Sequence, residues 1–300
     1  MALTNWNMSQ GELLLFSHYL APYFIVIFAL SIVFNGILIV VTIRSPRLRS
    51  NCNILIALQA LCDIGITFSV PVYAYNTYRN RLVSVSACFL TQLLPNAAGN
   101  CTTLLMLLTA LDRYLSVAYP LWYNSLNQTR YLAFYFVVCA LDAAVFTVVP
   151  LLLPTDHHQV LCFLTDAMTE RMKNGWVACQ AIIVVSVLIV YWKLHRFLKY
   201  RPVGSDRETR SVIKALHALV LVYSLGWGAS ICIMCVSRIL ISDPNIVQAE
   251  GIVQAVFCAF NITVPCVIYY CQSSLYRKEI RLFFGIKSDV ATSNARNNIM

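Results

Sequence analysis

Seven long stretches of apolar residues constrain the fold of this chain more than any other feature. Each is close to or longer than the roughly 20 mostly apolar residues that an α-helix needs to cross a bilayer. The stretches are 20–43, 52–75, 87–119, 131–151, 175–198, 210–241 and 247–271. No long hydrophilic block separates them. The sequence therefore predicts an all-α membrane protein, a bundle of seven transmembrane helices without a separate soluble domain.

The composition supports a lipid environment. Of the 300 residues, 59% are hydrophobic and only 12% are charged, whereas a soluble domain has roughly 25% charged residues. The net charge of +9 does not indicate nucleic-acid binding, because a soluble basic domain would not be this apolar. Loops that face an anionic cytoplasmic leaflet explain the charge. Most of the 12 cysteines lie inside apolar stretches, and none has a metal-ligand spacing, so we expect neither a metal nor another cofactor.

The basic residues predict the orientation of the chain in the membrane. If residues 1–19 are outside, 17 of the 22 Lys and Arg residues fall on the inner side, as the positive-inside rule requires. We therefore expect a multi-pass plasma-membrane protein with an extracellular tail (1–19), a seven-helix domain (20–286) and a cytoplasmic tail (287–300). Asn7 begins an Asn-Met-Ser sequon in the outer tail and is the predicted glycosylation site.

A short segment after the seventh stretch has apolar and basic residues on opposite faces of a helix. Leu275, Ile280, Phe283 and Phe284 share one face. This pattern is typical of a helix that lies along the membrane surface. We therefore expect a short amphipathic helix on the cytoplasmic side.

Several polar side chains lie inside the apolar stretches, where they are costly and usually functional. Asp63 is in the middle of the second stretch, Asn35 is in the first, and Asn261 is in the seventh. One interpretation is a protonated Asp63 that hydrogen-bonds to its neighbours. The alternative, which we favour, is an inward-facing ion or water site that Asp63 shares with Asn35, Thr102 and Asn261.

The order of these residues resembles that of the rhodopsin-like (class A) G-protein-coupled receptors. Asn35 in the first span, Asp63 in the second and Asp112-Arg113-Tyr114 at the end of the third match that family in type and order. Cys88 precedes the arginine by 25 residues, which is the spacing of the family's extracellular cysteine. Trp227 lies in the sixth span, like the family's rotamer-switch tryptophan. The resemblance covers residues 20–285.

The resemblance implies an activation switch and a disulfide. The switch residues would be Asp112, Arg113, Tyr114, Trp227 and Tyr269. Arg113 would be held by Asp112 at rest and released towards a heterotrimeric G protein, which basic residues of the third inner loop, from Lys193 to Lys214, would also contact. The disulfide would join Cys88 to Cys162, the cysteine of the second outer loop, since both lie on the oxidising side.

A closer likeness suggests the class of signal. The run 47–58, the context of Asp112 and the Ser274-Leu275-Tyr276-Arg277 ending are similar to nematode serpentine chemoreceptors of the Srsx type. This resemblance implies a chemosensory receptor that couples an extracellular ligand to a G protein. A neuropeptide-type receptor of the same class is the alternative within the family.

The chain also departs from the family's pattern. The fourth span lacks the usual tryptophan and contains an acid, Asp142; the sixth has no proline two residues after Trp227, although Gly226 and Gly228 can supply some bend. The seventh span has no asparagine directly before Pro265, and its tyrosine follows four residues later rather than three. If Tyr269 is the reference point, Asn261 falls into the family's ion site; if Pro265 is, it does not. With Tyr269 as the reference point, Tyr276 also falls into register with the family's pattern, which favours Tyr269.

The ligand is constrained mainly by exclusion. Pro95 occupies the position, 18 residues before Arg113, where amine receptors have an aspartate, which disfavours an amine. Residues 247–271 contain no lysine, which disfavours retinal. Asn96, Trp176 and Glu250 are candidate ligand contacts at the outer side.

Other classes of protein are weighed against the receptor. No arrangement of nucleophile and base or of paired carboxylates indicates an enzyme. A transporter or channel would use Asp63 and Asp142 along a pathway, but the odd number of spans and the missing internal repeat argue against it. A receptor-shaped protein that has lost signalling remains an alternative, because the sixth- and seventh-span motifs are altered.

Overall fold

The computed structural model describes residues 7–152, 159–200, 218, 220–241 and 243–286. Within them, seven helices are long and apolar enough to cross a membrane, so the predicted number of spans is confirmed. These first to seventh spans are Gln10–Arg44, Asn51–Tyr78, Leu93–Ala118, Gln128–Leu152, Met172–Phe197, Val220–Ser237 and Pro244–Gln272. The predicted cytoplasmic tail, 287–300, and the loop residues 201–217 lie outside the described residues.

The first span begins ten residues earlier than the apolar stretch indicates. Ser9 caps the helix that starts at Gln10: its hydroxyl accepts a hydrogen bond from the Glu12 amide, and the Glu12 carboxylate accepts one from the Ser9 amide. This reciprocal capping box satisfies amides that an uncapped helix start leaves unpaired. Polar residues such as His18 lower the hydropathy of this turn, which is why the apolar stretch starts only at residue 20.

Three spans are interrupted at defined points. The second consists of the helices Asn51–Thr67 and Ser69–Tyr78, and the seventh of Pro244–Thr263 and Pro265–Gln272. Pro265 begins the second half of the seventh span, where its missing N–H is tolerated. The sixth span contains a π-helical turn, Ser224–Gly228, followed by the α-helix Ala229–Leu240. The fifth helix, Glu170–Tyr200, extends beyond the membrane-spanning window at both ends.

The third span is the centre of the bundle. It packs against the second, fourth and fifth spans, and polar side chains along it, including Asn100, Thr102 and Asp112, are buried. The fourth span is peripheral: Tyr135, Cys139 and Ala143 are its buried residues. Apolar side chains elsewhere on this helix face outward, which suits contact with lipid rather than water.

Short elements connect the spans on the outer side. β1 (Val83–Ser84) pairs antiparallel with β2 (Gln159–Val160), so that the first and second outer loops are joined by a small ladder. The helix Val85–Thr91 carries Cys88, and the 3₁₀ turn Leu164–Ala167 follows β2. These elements place the second outer loop over the bundle.

On the inner side, three short helices flank the spans. They are Pro46–Leu48, Pro120–Ser125 and the terminal helix Ser274–Phe283. Ser273 caps the terminal helix by accepting a hydrogen bond from the Tyr276 amide. Tyr276 and Ile280 are buried against the bundle, whereas Phe283 is exposed. The predicted amphipathic helix is therefore present, with Tyr276 as an additional anchor.

Candidate functional site

A large cavity lies in the outer half of the bundle. It encloses an empty volume of about 1020 Å³, including the space at its mouth. The second outer loop contributes Phe163, Leu164 and Thr165 to its lining. Apolar side chains from several spans form most of the wall, among them Phe24, Ile66, Val70, Ile231 and Met234. A concave, mainly apolar cavity is suited to a small molecule.

The amides in the cavity wall are engaged with one another. The Asn100 Oδ1 atom accepts hydrogen bonds from Trp176 Nε1 (2.9 Å) and Gln180 Nε2 (3.4 Å). The Asn100 amide nitrogen donates to the Asn96 carbonyl (3.1 Å), and the Asn96 side chain donates to the Phe146 carbonyl (3.2 Å). These contacts hold the third, fourth and fifth spans in register and leave the cavity with few open polar groups.

Two of the three predicted ligand contacts lie on the cavity wall. Asn96 and Trp176 line it, but Glu250 is not among its described lining residues. The Glu250 carboxylate instead accepts a hydrogen bond from the amide of Gln254, which does line the cavity. At this position the residue that meets the cavity is Gln254, one helical turn further along the seventh span.

A second, smaller cavity of about 300 Å³ lies beyond Trp227, towards the Asp112 end of the third span. Asp63, Thr102 and Asn261 line it, and the Thr102 hydroxyl donates to Asp63 Oδ1 at 3.1 Å. Trp227 and Ile262 line both cavities and so form the partition between them. The structure therefore brings three of the four residues predicted for an ion or water site to one small cavity beneath the outer one.

Asn35 lies outside this small cavity. Its amide nitrogen donates to Ser31 Oγ (3.0 Å) and to the carbonyl of Ile262 (2.9 Å). Asn35 therefore ties the first span to the backbone of the seventh. Asn35 is not among the described lining residues of the small cavity, and its share in an ion or water site stays a prediction.

The inner end of the third span holds the Asp112-Arg113-Tyr114 triplet. Asp112 is fully buried and its Oδ1 atom accepts a hydrogen bond from the Tyr123 hydroxyl at 2.7 Å. Arg113 directs its Nε atom to Cys52 Sγ at 2.5 Å. Among the described residues no ion pair joins Asp112 to Arg113, and the resting contact between them stays a prediction. Successive residues of a helix point about 100° apart, and each head group here meets a different neighbouring element.

The donor to Asp112 comes from the second inner loop. Burial, together with the nearby Asp112 carboxylate, raises the pKa of the Tyr123 hydroxyl, so this group stays protonated and donates. The same oxygen accepts a hydrogen bond from the Asn51 side chain at 3.2 Å. Tyr123 thereby links the inner ends of the second and third spans.

The remaining switch candidates lie at different depths. Tyr269 is buried near the inner end of the seventh span and stacks on Tyr276, with 4.8 Å between ring centroids. Tyr114 is half-buried and packs against the inner hydrophobic core. Trp227 is buried in the π turn of the sixth span, at the partition between the cavities. Trp227 is thus well separated along the bundle from the Arg113 end.

The outer end carries the expected disulfide. Cys88 is bonded to Cys162, with 5.2 Å between their Cα atoms. The Gln92 side-chain nitrogen donates to the Cys162 carbonyl at 3.0 Å. The disulfide joins the helix Val85–Thr91, just before the third span, to the second outer loop, which lines the cavity.

The start of the described chain is fixed to the third outer loop. The Met8 amide donates to Asp243 Oδ2 (2.9 Å), and the Asn245 side chain donates to the Met8 carbonyl (2.7 Å). The hydrogen bond from Met8 lowers the pKa of Asp243 below its ordinary value. We refer to Met8, Asp243 and Asn245 as the N-terminal clasp. Asn7, the predicted glycosylation site, is exposed directly beside it.

Sequence reasoning missed the residues that act through tertiary contacts. Tyr123 and Gln254 belong to no motif, and the run 47–58, which contains Cys52, does not mark this cysteine as a partner of Arg113. Gly226 did carry a signal as a glycine beside Trp227, but its role is set by a side chain of the seventh span. These positions become visible only when the spans are packed together.

Comparison with known proteins agrees with this architecture. The family described as serpentine type 7TM GPCR chemoreceptor Srsx matches residues 28–284. Human olfactory receptor 11G2 is 23% identical over 300 residues, covering 92% of this chain and 83% of that receptor. Human olfactory receptor 2AG1 is 26% identical over 160 residues, covering 51% of this chain and only 50% of that receptor. Mouse cannabinoid receptor 2 is 25% identical over 186 residues, covering 57% of this chain and 53% of that receptor.

The family match extends over most of the chain, and the described residues include seven helices of membrane-spanning length. The relatives are receptors whose names describe olfactory and cannabinoid recognition. A multi-pass membrane protein of the chemosensory type accounts for both findings. The chain belongs to the serpentine chemoreceptor family Srsx of G-protein-coupled receptors.

Proposed function

We propose that this receptor binds a neutral, mainly apolar small molecule in its outer cavity and couples this binding to a heterotrimeric G protein at its inner end. The observation that carries the proposal is the apolar cavity of about 1020 Å³, whose floor is Trp227. Binding there would favour one of two arrangements of the spans, and the inner end would report which one is populated.

The chemistry of the wall supports a neutral ligand. Lys173 is the charged side chain of the described lining, and no carboxylate is among those residues. The Asn96 and Asn100 amides are already engaged in the hydrogen bonds described above. Gln254 and Ser230 are the polar side chains placed to orient a ligand near the sixth and seventh spans. Burying an unpaired charge in such a site would be costly, which disfavours an amine.

The inner end supports coupling to a partner. Arg113 is directed to Cys52. At the same end, three buried polar atoms have no hydrogen-bond partner: Ser45 Oγ, Asn53 Oδ1 and Asp112 Oδ2. Buried polar groups of this kind are costly unless paired. An arrangement that opens the inner end would expose these groups and Arg113 to a G protein. The signalling step contains no enzymatic chemistry.

The orientation follows the charge distribution. With Asn7 outside and the terminal helix inside, most basic side chains face the cytoplasmic leaflet. In this orientation the large cavity opens to the outside, where a chemical signal arrives. We place the receptor in the plasma membrane, with Asn7 as its glycosylation site.

The test is a panel of G-protein reporters in cells that express the full chain, exposed to neutral apolar small molecules, amines and peptides. We expect responses to the neutral compounds that Arg113→Ala abolishes. Ala255→Trp should also abolish them, because Ala255 lines the cavity and the larger ring fills it. The matched control is Val253→Trp, since Val253 is 41% exposed on the outside of the same helix. Surface expression is measured for every variant.

Other outcomes identify the alternatives. Responses to peptides alone would favour a neuropeptide-type receptor. Ligand-gated current or uptake without a G-protein signal would indicate a transporter or channel. Silence of a well-expressed wild-type chain in all reporters would favour a receptor-shaped protein that has lost signalling. A ligand response that survives Arg113→Ala would contradict the role of this arginine.

A further inference from the structure

The sixth span interrupts its own helix although it lacks the proline that the family uses. Ser224–Gly228 form a π turn in which Trp227 is buried. A π turn adds a residue to the helical turn, weakens the regular ladder of backbone hydrogen bonds and is a usual cause of helix kinks. Something other than proline therefore maintains the interruption.

The side chain of Asn261, on the seventh span, enters this turn. With its amide oriented to satisfy both neighbours, the nitrogen donates to the Val222 carbonyl at 2.7 Å and the oxygen accepts from the Trp227 amide at 3.2 Å. A side-chain amide has the same donor and acceptor as a peptide group. It bridges the Val222 carbonyl, which precedes the π turn, and the Trp227 amide within the turn, so neither is left unpaired.

Gly226 provides the space for the Asn261 amide. A Cβ atom at Gly226 would lie 1.6 Å from the nearer terminal atom of the Asn261 amide and 2.4 Å from its Cγ, which is a severe overlap. A Cβ atom at Gly228, two residues away in the same turn, would meet only Val184 Cγ1 at 3.8 Å, an ordinary contact. The turn thus has one glycine that the insertion requires and one that it does not.

The insertion lies at the boundary between the two cavities. Asn261 lines the lower cavity, and Trp227 lines both. One turn away, the Ser230 hydroxyl donates to the Gly226 carbonyl at 2.7 Å and lies 3.5 Å from Cys258 Sγ. The sixth and seventh spans are therefore joined by polar contacts directly beneath the outer cavity.

We propose that Asn261 is a positioning residue that takes over the part of the missing proline: it holds the interruption of the sixth span open and makes that span move together with the seventh. We call Asn261, Val222, Gly226 and Trp227 the Asn261 latch. A ligand that displaces Trp227 or the neighbouring seventh-span residues would then act on both spans at once. This consequence for signalling rests on the proposed function; the latch itself does not.

The direct test is amide hydrogen exchange of the full receptor in lipid nanodiscs, followed by mass spectrometry of peptides that contain residues 222–228. Asn261→Ala removes both latch hydrogen bonds, so we expect exchange at these amides to accelerate by about tenfold. Gly226→Ala should produce a similar acceleration, because the new methyl group expels the Asn261 amide. Gly228→Ala is the matched control and should leave exchange unchanged within about twofold, since its methyl group meets only an ordinary contact.

A double variant separates the latch from independent local damage. In Gly226→Ala/Asn261→Ala the new methyl group occupies space that the truncated side chain has vacated. We expect exchange and melting temperature no worse than in the more affected single variant, because both changes break the same contact. Additive effects, or unchanged exchange in Asn261→Ala, would overturn the proposal. If Gly226→Ala does not fold, Asn261→Ala together with the Asn35→Ala control decides, since Asn35 bonds the seventh span without touching the sixth.

A second readout connects the latch to signalling. In the G-protein reporters, we expect Asn261→Ala and Gly226→Ala to change the basal or ligand-evoked signal at least threefold, and Gly228→Ala not to. Accelerated exchange in Asn261→Ala, with no reporter signal from the wild type or any variant, would support the latch and reject the proposed function. Unchanged exchange in Asn261→Ala, with a normal ligand response, would reject the latch and support the proposed function.

Discussion

The outer and inner ends of this bundle are held by different kinds of interaction. At the outer end, a covalent bond joins Cys88 to Cys162, β1 pairs with β2, and the N-terminal clasp fixes the chain start. At the inner end, the contacts are single side-chain bonds such as Tyr123 to Asp112, and an exposed ion pair between Arg47 and Glu279.

This difference suits a receptor whose two ends have different tasks. In the proposed function the outer end keeps the shape of a binding cavity, and contacts that cost much free energy to break suit that task. The proposed coupling to a G protein requires two arrangements of similar free energy at the inner end, and weak, replaceable contacts suit that task. Variants at the disulfide, at Tyr123 and at the N-terminal clasp test whether the outer disulfide contributes more stability than single hydrogen bonds at either end.

The largest effect is expected at the outer disulfide. Cys162→Ser should destabilise the receptor by about 2–4 kcal/mol, because it releases a long loop in the unfolded chain. We expect a fall in melting temperature for the variant in detergent. A reducing agent should lower the melting temperature of the wild type towards that of the variant, without affecting the variant itself.

The control for this experiment lies at the other end of the bundle. Cys271 is an exposed free cysteine at the inner end of the seventh span, so Cys271→Ser should leave the melting temperature unchanged. Equal melting temperatures of the wild type and Cys162→Ser would show that the outer end is not fixed by its disulfide.

An intermediate effect is expected at Tyr123. Tyr123→Phe removes the donor to the buried Asp112 carboxylate, and an unsatisfied group of this kind costs about 1–3 kcal/mol. We expect faster amide exchange in the second inner loop, around residues 119–131, without a change at the outer end. Tyr119→Phe is the control, because Tyr119 is exposed. Exchange that accelerates at β1 and β2 as well would show that the two ends do not respond separately.

The smallest effect is expected at the N-terminal clasp, which depends on the charge of Asp243. The pKa of this carboxyl is lowered from its ordinary value of 3.8, because the charged form accepts the Met8 amide. A lowered pKa means that the contribution of the clasp is complete above that ordinary value and is lost as the pH falls through the lower, folded-state value. We expect the Met8 amide to lose protection in that acidic range, after correction for the pH dependence of exchange itself.

Asp243→Asn is the control for the pH experiment. It keeps an acceptor oxygen but no titratable group, so protection of the Met8 amide should be weaker and independent of pH. A pH profile of the asparagine variant that matches the wild type would assign the effect to another group.

Much of the fold could be predicted from the sequence because a bilayer restricts the choices. Seven apolar stretches must be helices to satisfy their backbone hydrogen bonds in lipid, and their number is confirmed. The start at Gln10 was missed because the capping box of Ser9 and Glu12 extends the helix into a polar turn. Local capping, rather than hydropathy, set that boundary.

The site was predictable where a residue's depth decides its surroundings. Asp63, Thr102 and Asn261 were expected to share a polar site and do line one cavity, and Cys88 is bonded to Cys162. Asn35 is not among the described lining residues of that cavity, and no ion pair joins Asp112 to Arg113 among the described residues. In both cases the side chain has two possible neighbours, and the packing angle between spans, which no single stretch encodes, selects one of them.

By itself, the sequence determined that the chain has seven membrane-spanning stretches and which polar residues lie at the same depth, and it predicts which side the basic residues face. These properties depend on the cost of polar and charged groups in lipid, which is read residue by residue. Only the tertiary structure decided that Tyr123 holds Asp112, that Gln254 meets the cavity, and that Asn261 enters the sixth span beside Gly226. Those contacts depend on the rotation and spacing of packed helices, where a shift of a few ångströms exchanges one hydrogen-bond partner for another.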